Sequence, residues 1–439
     1  MKKNITFKIQ PGGGLQGQIR VPGDKSISHR AIMLGSLAEG ITHVKGFLQA
    51  EDAMATLKAF RAMGVNIDGP VQGELTIQGV GLQGLKAPQA PLYLGNSGTS
   101  MRLLTGLLAG QAFNSVLTGD ESLSQRPMKR VTDPLTQMGA VIATTAQGTA
   151  PLSITGHALQ GINYQMPMAS AQVKSCLLLA GLYAQGSTAV VEPAPTRDHT
   201  ERMLTGLGYG VQRQGSKVSL TGNGKLIAKD IDVPSDISSA AFFLVGAAIT
   251  PNSDVLLQHV GINPTRVGVI EILRLMGADL KIFNQRTVGG EPVADIQVRS
   301  STLRGIQIPE ALVPLAIDEF PVLFVAAACA QGETRLTGAE ELRVKESDRI
   351  QVMADGLQKL GVDAQATVDG MIIQGSGGLK GGVVQAQGDH RIAMAFSIAG
   401  LIADAPVLIE DCENVNTSFP EFVDLAGNLG MAIAAGAAP

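Results

Sequence analysis

The residues of this chain best placed to do chemistry are cations at the openings of helical segments. Lys25, Ser26, Ser28 and Arg30 begin one apolar segment, Arg102 follows Asn96-Ser97-Gly98-Thr99, and Lys174 follows Ser170-Ala171-Gln172. Arg391 follows Asp389 and His390, while Lys345 and Arg349 bracket the start of an amphipathic stretch whose expected N-cap is Ser347. A helix N-terminus carries partial positive charge, so Lys or Arg there costs about 0.3–1 kcal/mol and an anion is favoured. A solvated side chain reaching away from its helix would account for any one of these cations. Five in matching positions imply bound phosphates or carboxylates of a small molecule, met at once by free N–H groups, dipole and cation. Gln125-Arg126-Pro127-Met128-Lys129-Arg130 adds a basic patch that by itself reads as an exposed loop. Gly95-Asn96-Ser97-Gly98-Thr99 is similar to a phosphate-cradling loop without the Lys and spacing of a P-loop, so nucleotide binding is not indicated.

Proton transfer needs carboxylates near that cationic ground. Asp318 and Glu319 open the fifth apolar segment, and Glu346 stands between Lys345 and Arg349. Asp or Glu at a helix start is commonly a cap, and Asp318 fits that role as well as that of a base. His199, within Arg197-Asp198-His199-Thr200-Glu201, suits a structural or substrate-orienting role.

The elements that must position these residues come as a repeat. An apolar segment opening with polar residues recurs six times: Lys25 to Gly40, Ser97 to Gly110, Ser170 to Gly186, Asp236 to Thr250, Asp318 to Gly332 and His390 to Asp404. The starts are 72, 73, 66, 82 and 72 residues apart. Between the copies lie six amphipathic stretches that end at Gly64, Gly139, Gly208, Gly277, Gly361 and Gly430. Glycine just past the last periodic residue is the C′ signal, where a left-handed conformation carries no Cβ penalty. Each unit therefore holds a buried helix and an outer one, with strand-like runs such as Leu75 to Val80, Ser115 to Thr118, Val218 to Thr221 and Ala294 to Val298. Val21-Pro22-Gly23-Asp24 returns as Val233-Pro234-Ser235-Asp236, marking two candidate hinge strands. The expected organisation is two pseudo-symmetric domains of three units, residues 22–236 and residues 1–21 with 237–439.

Composition narrows the function classes. Apolar residues make up 45% and charged residues only 16%, and the formal net charge is −4, which opposes a coat for nucleic acid or an anionic membrane. No apolar run approaches the ~18 residues of a membrane helix, and Met1 to Gln10 lacks the apolar core of a secretory signal, so a cytoplasmic protein is expected. Cys176, Cys329 and Cys412 are read as buried reduced thiols, and the six histidines lack zinc-ligand spacing, so no structural metal is expected.

As a set these motifs resemble the 5-enolpyruvylshikimate-3-phosphate synthases, which transfer the enolpyruvyl group of phosphoenolpyruvate to shikimate 3-phosphate. The resemblance spans nearly the whole chain. It is carried by Pro22-Gly23-Asp24-Lys25-Ser26-Ile27-Ser28-His29-Arg30, Leu94-Gly95-Asn96-Ser97-Gly98-Thr99, Arg126-Pro127-Met128, Ser170-Ala171-Gln172, Arg343-Val344-Lys345-Glu346-Ser347-Asp348-Arg349 and Asp389-His390-Arg391. It implies an α/β fold of two inside-out α/β barrel domains, each of three βαβ-type repeats, closing on substrate at their interface, with residues 22–236 mainly on the shikimate 3-phosphate side. It also implies that Lys25, Ser26, Arg30, Ser170, Ala171, Gln172, Arg197, Asp318 and Lys345 hold shikimate 3-phosphate. Lys25, Asn96, Gly98, Arg126, Gln172, Arg349 and Arg391 would surround phosphoenolpyruvate. By the same resemblance Asp318 is the base near the 5-hydroxyl, and Glu346 and Lys25 handle protons in an addition–elimination through a tetrahedral ketal. Neither cofactor nor metal is called for, the partners are the two small substrates alone, and a monomer is expected.

Ser170-Ala171-Gln172-Val173-Lys174, Arg197-Asp198-His199-Thr200-Glu201 and Asn263-Pro264-Thr265-Arg266 resemble the less glyphosate-sensitive subtype. That subtype often has Ala where Gly98 stands, and the extra methyl crowds glyphosate out. The other subtype carries a Lys before its Phe-Pro, where this chain has Thr417-Ser418-Phe419-Pro420. The UDP-N-acetylglucosamine enolpyruvyl transferases resemble the chain less well, since the Cys of their loop has no counterpart between Ser115 and Arg126. Readings from other classes are a non-catalytic anion-binding repeat protein and a nucleic-acid end-modifying enzyme, the latter disfavoured by absent Trp and 4% aromatic content.

Overall fold

The computed structural model describes residues 5–437. Among them the six apolar segments form helices buried almost throughout: Lys25–Leu37, Gly98–Ala109, Ala171–Gly181, Ile237–Ile249, Phe320–Cys329 and His390–Gly400. The fifth starts later than its pattern suggests. Pro321 occupies the first turn, Glu319 is the N-cap without a side-chain cap bond, and Asp318 lies outside the helix. The outer helices are Glu51–Ala62, Lys129–Gln137, His199–Gly206, Gly268–Leu275, Arg349–Lys359 and Phe422–Asn428. Past each end stands one of the six expected glycines, all with φ between 82° and 99°.

Six small sheets accompany the six helix pairs. One of them, ordered Leu92–Tyr93, Ser115–Thr118, Leu152–Thr155, Val141–Ala143, gives the rule: the first two strands are parallel and flank the buried helix, and the last two form a hairpin antiparallel to the second. The sheet containing Gly332–Leu336 has three strands, its first place taken by isolated parallel bridges from Arg304 and Gln307 to Gln331 and Arg335. No helix among the described residues is long and apolar enough to cross a membrane.

The described residues divide into two compact units, one of Gly23–Val233 with Thr287–Glu291, the other of residues 5–22, Pro234–Arg286 and residues 292–437. Each has a separate apolar core built around its three buried helices. The division departs from the expected one at three places: Pro22 and Pro234 to Asp236 fall in the second unit, and the tip of a hairpin, Thr287–Glu291, falls in the first. Periodicity cannot reveal the latter, because the strands Asp279–Val288 and Glu291–Arg299 otherwise behave as a local hairpin of the second unit.

The repeated tetrapeptides are the crossing points. Ile231–Asp232 supplies the first strand of the sheet that contains Glu39–Lys45, the place that would precede helix Lys25–Leu37 in a simple repeat. Gln16–Ile19 supplies the same place beside Asp254–Gly261, ahead of helix Ile237–Ile249. The two leading strands are thus exchanged between units. The N-terminal strand Ile5–Ile9 lies between Val407–Glu410 and Ile433–Ala437, in the last sheet of the second unit.

Buried helices whose starts must present a site need close and fixed spacing. Gly106 in Gly98–Ala109 provides it: a Cβ there would lie 2.2 Å from the carbonyl oxygen of Cys176 in Ala171–Gly181. The three cysteines are free thiols, each pushed up to about 12 by burial. Replacing Gly106 by Ala must separate two packed backbones, an overpacking cost of about 1–3 kcal/mol. Thermal unfolding of Gly106→Ala should therefore shift downward by several degrees. An unchanged midpoint would show that this approach does not limit packing.

Candidate active site

In the unit containing Gly23–Val233, three buried helices start with polar caps instead of acidic first turns. Asp24, Ser97 and Ser170 are the N-caps, accepting from the backbone N–H of Ile27, Ser100 and Val173. Each cap satisfies one of the orphan donors at its helix start, and nearby cations reinforce the positive end. Lys25, the first helical residue, contacts Asp52 at 3.2 Å. Arg126 donates to Asn96 Oδ1 at 2.6 Å, and Asn96 donates in turn to Asp120 at 2.8 Å, so the basic loop is fastened to the glycine-rich loop. Gln172 joins the start of its helix to the preceding one, accepting from Arg102 and donating to Thr99. A Cβ at Gly98 would lie 3.1 Å from Arg126 Nη1 and 3.2 Å from Arg102 Nη1. Arg102, one of the helix-start cations read from the sequence, is thus a member of the cluster around Gly98, although the family resemblance gave it no substrate to hold.

Arg30 lies deeper. Its Nε donates to Thr200 Oγ1 at 2.7 Å, Nη1 to the Ser26 carbonyl at 2.8 Å and Nη2 to Ser175 Oγ at 2.8 Å. Burial lowers its pKa to about 10; Glu201 and Asp24 act in the opposite sense, and Arg197 adds to the lowering. Arg197 lies just before the helix whose Thr200 accepts from Arg30, and two cations on adjoining segments suit a doubly charged anion. Lys174 behaves otherwise. It is fully buried between Glu192 at 2.9 Å and Glu201 at 2.7 Å, so this cation is consumed by the protein's own carboxylates and corrects the expectation of an anion site there. His29 is held neutral: burial, with Lys25 and Arg30, lowers it to about 3. Its Nδ1 meets Thr56 at 2.7 Å, in a chain that continues to Ser100 and Ser97.

The other unit holds the remaining candidates around Arg349, whose side chain is 1% exposed. Its Nε meets Asp389 Oδ2 at 2.8 Å, its Nη2 meets Glu346 Oε2 at 2.7 Å, and its Nη1 lies 3.5 Å from Asp318 Oδ1. Lys345 Nζ also lies 3.5 Å from Asp318 Oδ1 and pairs with Glu341 at 2.8 Å. Arg391 donates to the Asp318 carbonyl at 3.0 Å. Asp318, Lys345, Glu346, Arg349 and Arg391 thus form one continuous cluster. Its missing member in the sequence reading is Asp389, which caps the last buried helix through Arg391 N and anchors Arg349 at the same time. The expected N-cap Ser347 is corrected too: Asp348 caps the helix, accepting from Gln351 N, while Ser347 donates to Asp389 at 3.1 Å. Burial would lower Arg349 and raise Asp389, but their mutual attraction, with Glu346 acting on Arg349, wins in both cases. Arg349 is pushed up and Asp389 held below the usual carboxylate range.

In each unit, helix starts carrying cations suit anions, and in the second unit the carboxylates of Asp318 and Glu346 stand beside guanidinium and ammonium groups where a proton can be taken or given. Among the described residues no group of three or more His, Cys, Asp or Glu side chains is arranged to hold a metal ion.

Comparison with known proteins is consistent with this chemistry. The family model described as EPSP synthase (3-phosphoshikimate 1-carboxyvinyltransferase) matches residues 9–425. The 3-phosphoshikimate 1-carboxyvinyltransferase of Methylococcus capsulatus is 69% identical over 432 residues, covering 98% of this chain and 99% of the relative. That of Alkalilimnicola ehrlichii is 67% identical over 433 residues, covering 98% and 97%. Among solved structures, EPSP synthase from Acinetobacter baumannii superimposes with a TM-score of 0.91 at 61% identity, covering 98% of this chain and all of that one.

Removing one partner of the Arg349–Asp389 pair leaves a buried charge uncompensated, at a cost of about 3–5 kcal/mol. Because the folded-state pKa of Asp389 is lowered, its contribution is complete above the unfolded value of 3.8 and fades as pH falls through the folded one. Asp389→Asn should be markedly less stable than the parent at pH 7, and the gap should close in acid below the ordinary carboxylate range. Denaturant unfolding across that range checks this; a gap that does not depend on pH would mean that the charge of Asp389 is not what stabilises.

Proposed function

The chain belongs to the EPSP synthase family and is a carboxyvinyltransferase of the shikimate pathway, and from that premise we propose how its residues carry the reaction. The substrates of the family are phosphoenolpyruvate and shikimate 3-phosphate, and the enolpyruvyl group of the first passes to the 5-hydroxyl of the second with release of phosphate. The observation that carries the residue assignment is the cluster of Asp318, Glu346, Lys345 and Arg349, in which two carboxylates stand within 3.5 Å of cationic nitrogens.

In the addition, the methylene carbon of phosphoenolpyruvate gains a proton, its C2 becomes electrophilic, and the 5-hydroxyl oxygen bonds to C2 as its own proton leaves. In the elimination, the C2–O bond to phosphate breaks and the methyl group formed earlier returns a proton, restoring the double bond. Asp318 takes the hydroxyl proton, and Glu346 with Lys25 delivers and recovers the proton on carbon. Arg126, Arg349 and Arg391 bear the negative charge of phosphoenolpyruvate, which grows on the departing phosphate. Ser26, Arg30, Ser170, Ala171, Gln172, Arg197 and Lys345 hold shikimate 3-phosphate, while Asn96 and Gly98 leave room for phosphoenolpyruvate beside them. The enzyme works as a monomer in the cytoplasm.

The subtype is part of this reading. Three motifs favour the less glyphosate-sensitive class, and Gly98 is their exception: a methyl at this position would press on the Arg102 and Arg126 guanidinium groups at 3.2 and 3.1 Å.

Purified protein given phosphoenolpyruvate should release phosphate with shikimate 3-phosphate and not with UDP-N-acetylglucosamine; release with neither would remove the reaction. The same assay titrated with glyphosate decides what sets the response: weak inhibition would mean that the three motifs do, and tight inhibition competitive with phosphoenolpyruvate that Gly98 does. Glu346→Gln should lower kcat by about 10²-fold or more, the scale of a lost general acid or base, while binding of shikimate 3-phosphate stays near normal. Turnover close to that of the parent would take Glu346 out of the proton transfers.

A further inference from the structure

The hairpin tip Thr287–Glu291 carries a buried carboxylate that the reaction does not use. Glu291 is 3% exposed, and its Oε1 accepts from His199 Nδ1 at 2.8 Å. That is the hydrogen bond of the His199 ring in this structure, since Nε2, also buried, meets no partner among the described residues. The orientation of the ring therefore depends on Glu291. The next residue along the tip helps in the same direction: Arg202 donates to the Gly290 carbonyl at 3.3 Å.

The first turn of helix His199–Gly206 feeds directly into the candidate site. Thr200 accepts from Arg30 Nε at 2.7 Å and donates to Ser175 at 2.8 Å, and Arg30 in turn holds the Ser26 carbonyl at 2.8 Å. Arg197 lies just before this turn, in a segment that Glu192 fastens through Thr196 N at 3.2 Å. Packing alone does not secure the tip. Beside it is a cavity of about 260 Å³, lined by Ile27, Met203, Leu207, Ile231 and Val288 among others, so polar contacts share in the holding.

We propose that Glu291 is a positioning residue for the phosphorylated acceptor: by orienting His199 it fixes the first turn of helix His199–Gly206, and through Thr200 it fixes the guanidinium of Arg30 and the backbone of Ser26. Glu291 touches neither substrate. The inference rests on the assignment of Arg30, Ser26 and Arg197 to shikimate 3-phosphate made above.

The test compares Glu291→Ala, Glu291→Gln and His199→Phe with the parent. Glu291→Ala should raise KM for shikimate 3-phosphate roughly tenfold, the size of one lost hydrogen bond to a charged group. KM for phosphoenolpyruvate and kcat should stay within about twofold of the parent, and direct calorimetric binding of shikimate 3-phosphate should weaken by the same factor as its KM. Glu291→Gln keeps an oxygen that accepts from Nδ1–H and should restore most of the affinity. His199→Phe keeps the ring's bulk without Nδ1 and should reproduce the selective loss, which keeps the idea testable if Glu291→Ala fails to fold. Tyr209→Phe serves as a structural control, because it removes the bonds of the Tyr209 hydroxyl to Thr221 and Gly224 without touching the relay. A rise in both KM values together, a fall in kcat alone, no effect of Glu291→Ala, or a matching effect of Tyr209→Phe would overturn the proposal. Failure of the assigned function is distinguishable, since it would appear in the parent protein as absence of binding or of phosphate release.

Discussion

A guanidinium removed from water must be neutralised where it lies, and the pairing of Arg349 with Asp389 meets that demand with one carboxylate that has two duties. Asp389 caps the last buried helix through Arg391 N and receives Arg349 from the start of an outer helix. Two helix starts and two arginines are therefore fixed by a single side chain. Asp318 and Glu346 take up what remains of the Arg349 fork, so the geometry of both proposed proton-handling groups follows from the same buried charge. The pair is a poor investment in stability alone, since burying ions offsets much of their attraction. What it secures is position.

The same device occurs once more in the unit, with different partners. Arg266 precedes the outer helix Gly268–Leu275 and lies 3.2 Å from Asp236, the cap of the fourth buried helix, and 3.8 Å from Glu319 at the start of the fifth. Arg349 likewise reaches the acidic residues that start the fifth and sixth. At these two outer helices of the unit, then, one arginine bridges two successive inner helix starts. At Arg266 the bridge is closed by Ser238, which hydrogen-bonds both Arg266 and Glu319. At Arg349 the neighbours are Lys345, Glu346 and Arg391 instead, and the closed structural bridge gives way to a larger cluster of cations and carboxylates.

Much of this was legible in the sequence because it is local. The six C′ glycines announce themselves by position, since a left-handed residue after an amphipathic stretch is a short-range requirement. The buried helices show through their apolar composition, and the cations that precede them show through the unfavourable dipole. What stayed hidden is long-range pairing. Nothing near Lys174 signals that Glu192 and Glu201 will enclose it, and nothing near Asp389 signals a partner forty residues earlier. Asp318 read equally well as a cap until Pro321 fixed where its helix begins. The hairpin tip at Glu291 was invisible for the same reason: its strands obey a two-residue period that ends in a plain turn, and only tertiary packing assigns Thr287–Glu291 to the other unit.

The exchange of leading strands has a consequence for the order of events on the ribosome. Among the described residues the strand Ile5–Ile9 finds its neighbours in Val407–Glu410 and Ile433–Ala437, which are translated long after it. Gln16–Ile19 must wait for Asp254–Gly261, whereas nearly everything needed by the unit Gly23–Val233 is present once Val233 has been translated. The strand Ile5–Ile9 therefore stays unpaired while the unit Gly23–Val233 matures around its own core. The alternation of that strand, buried Phe7 and Ile9 against exposed Lys8, gives the waiting edge a charge, the feature that keeps unpaired strands from recruiting the wrong partner.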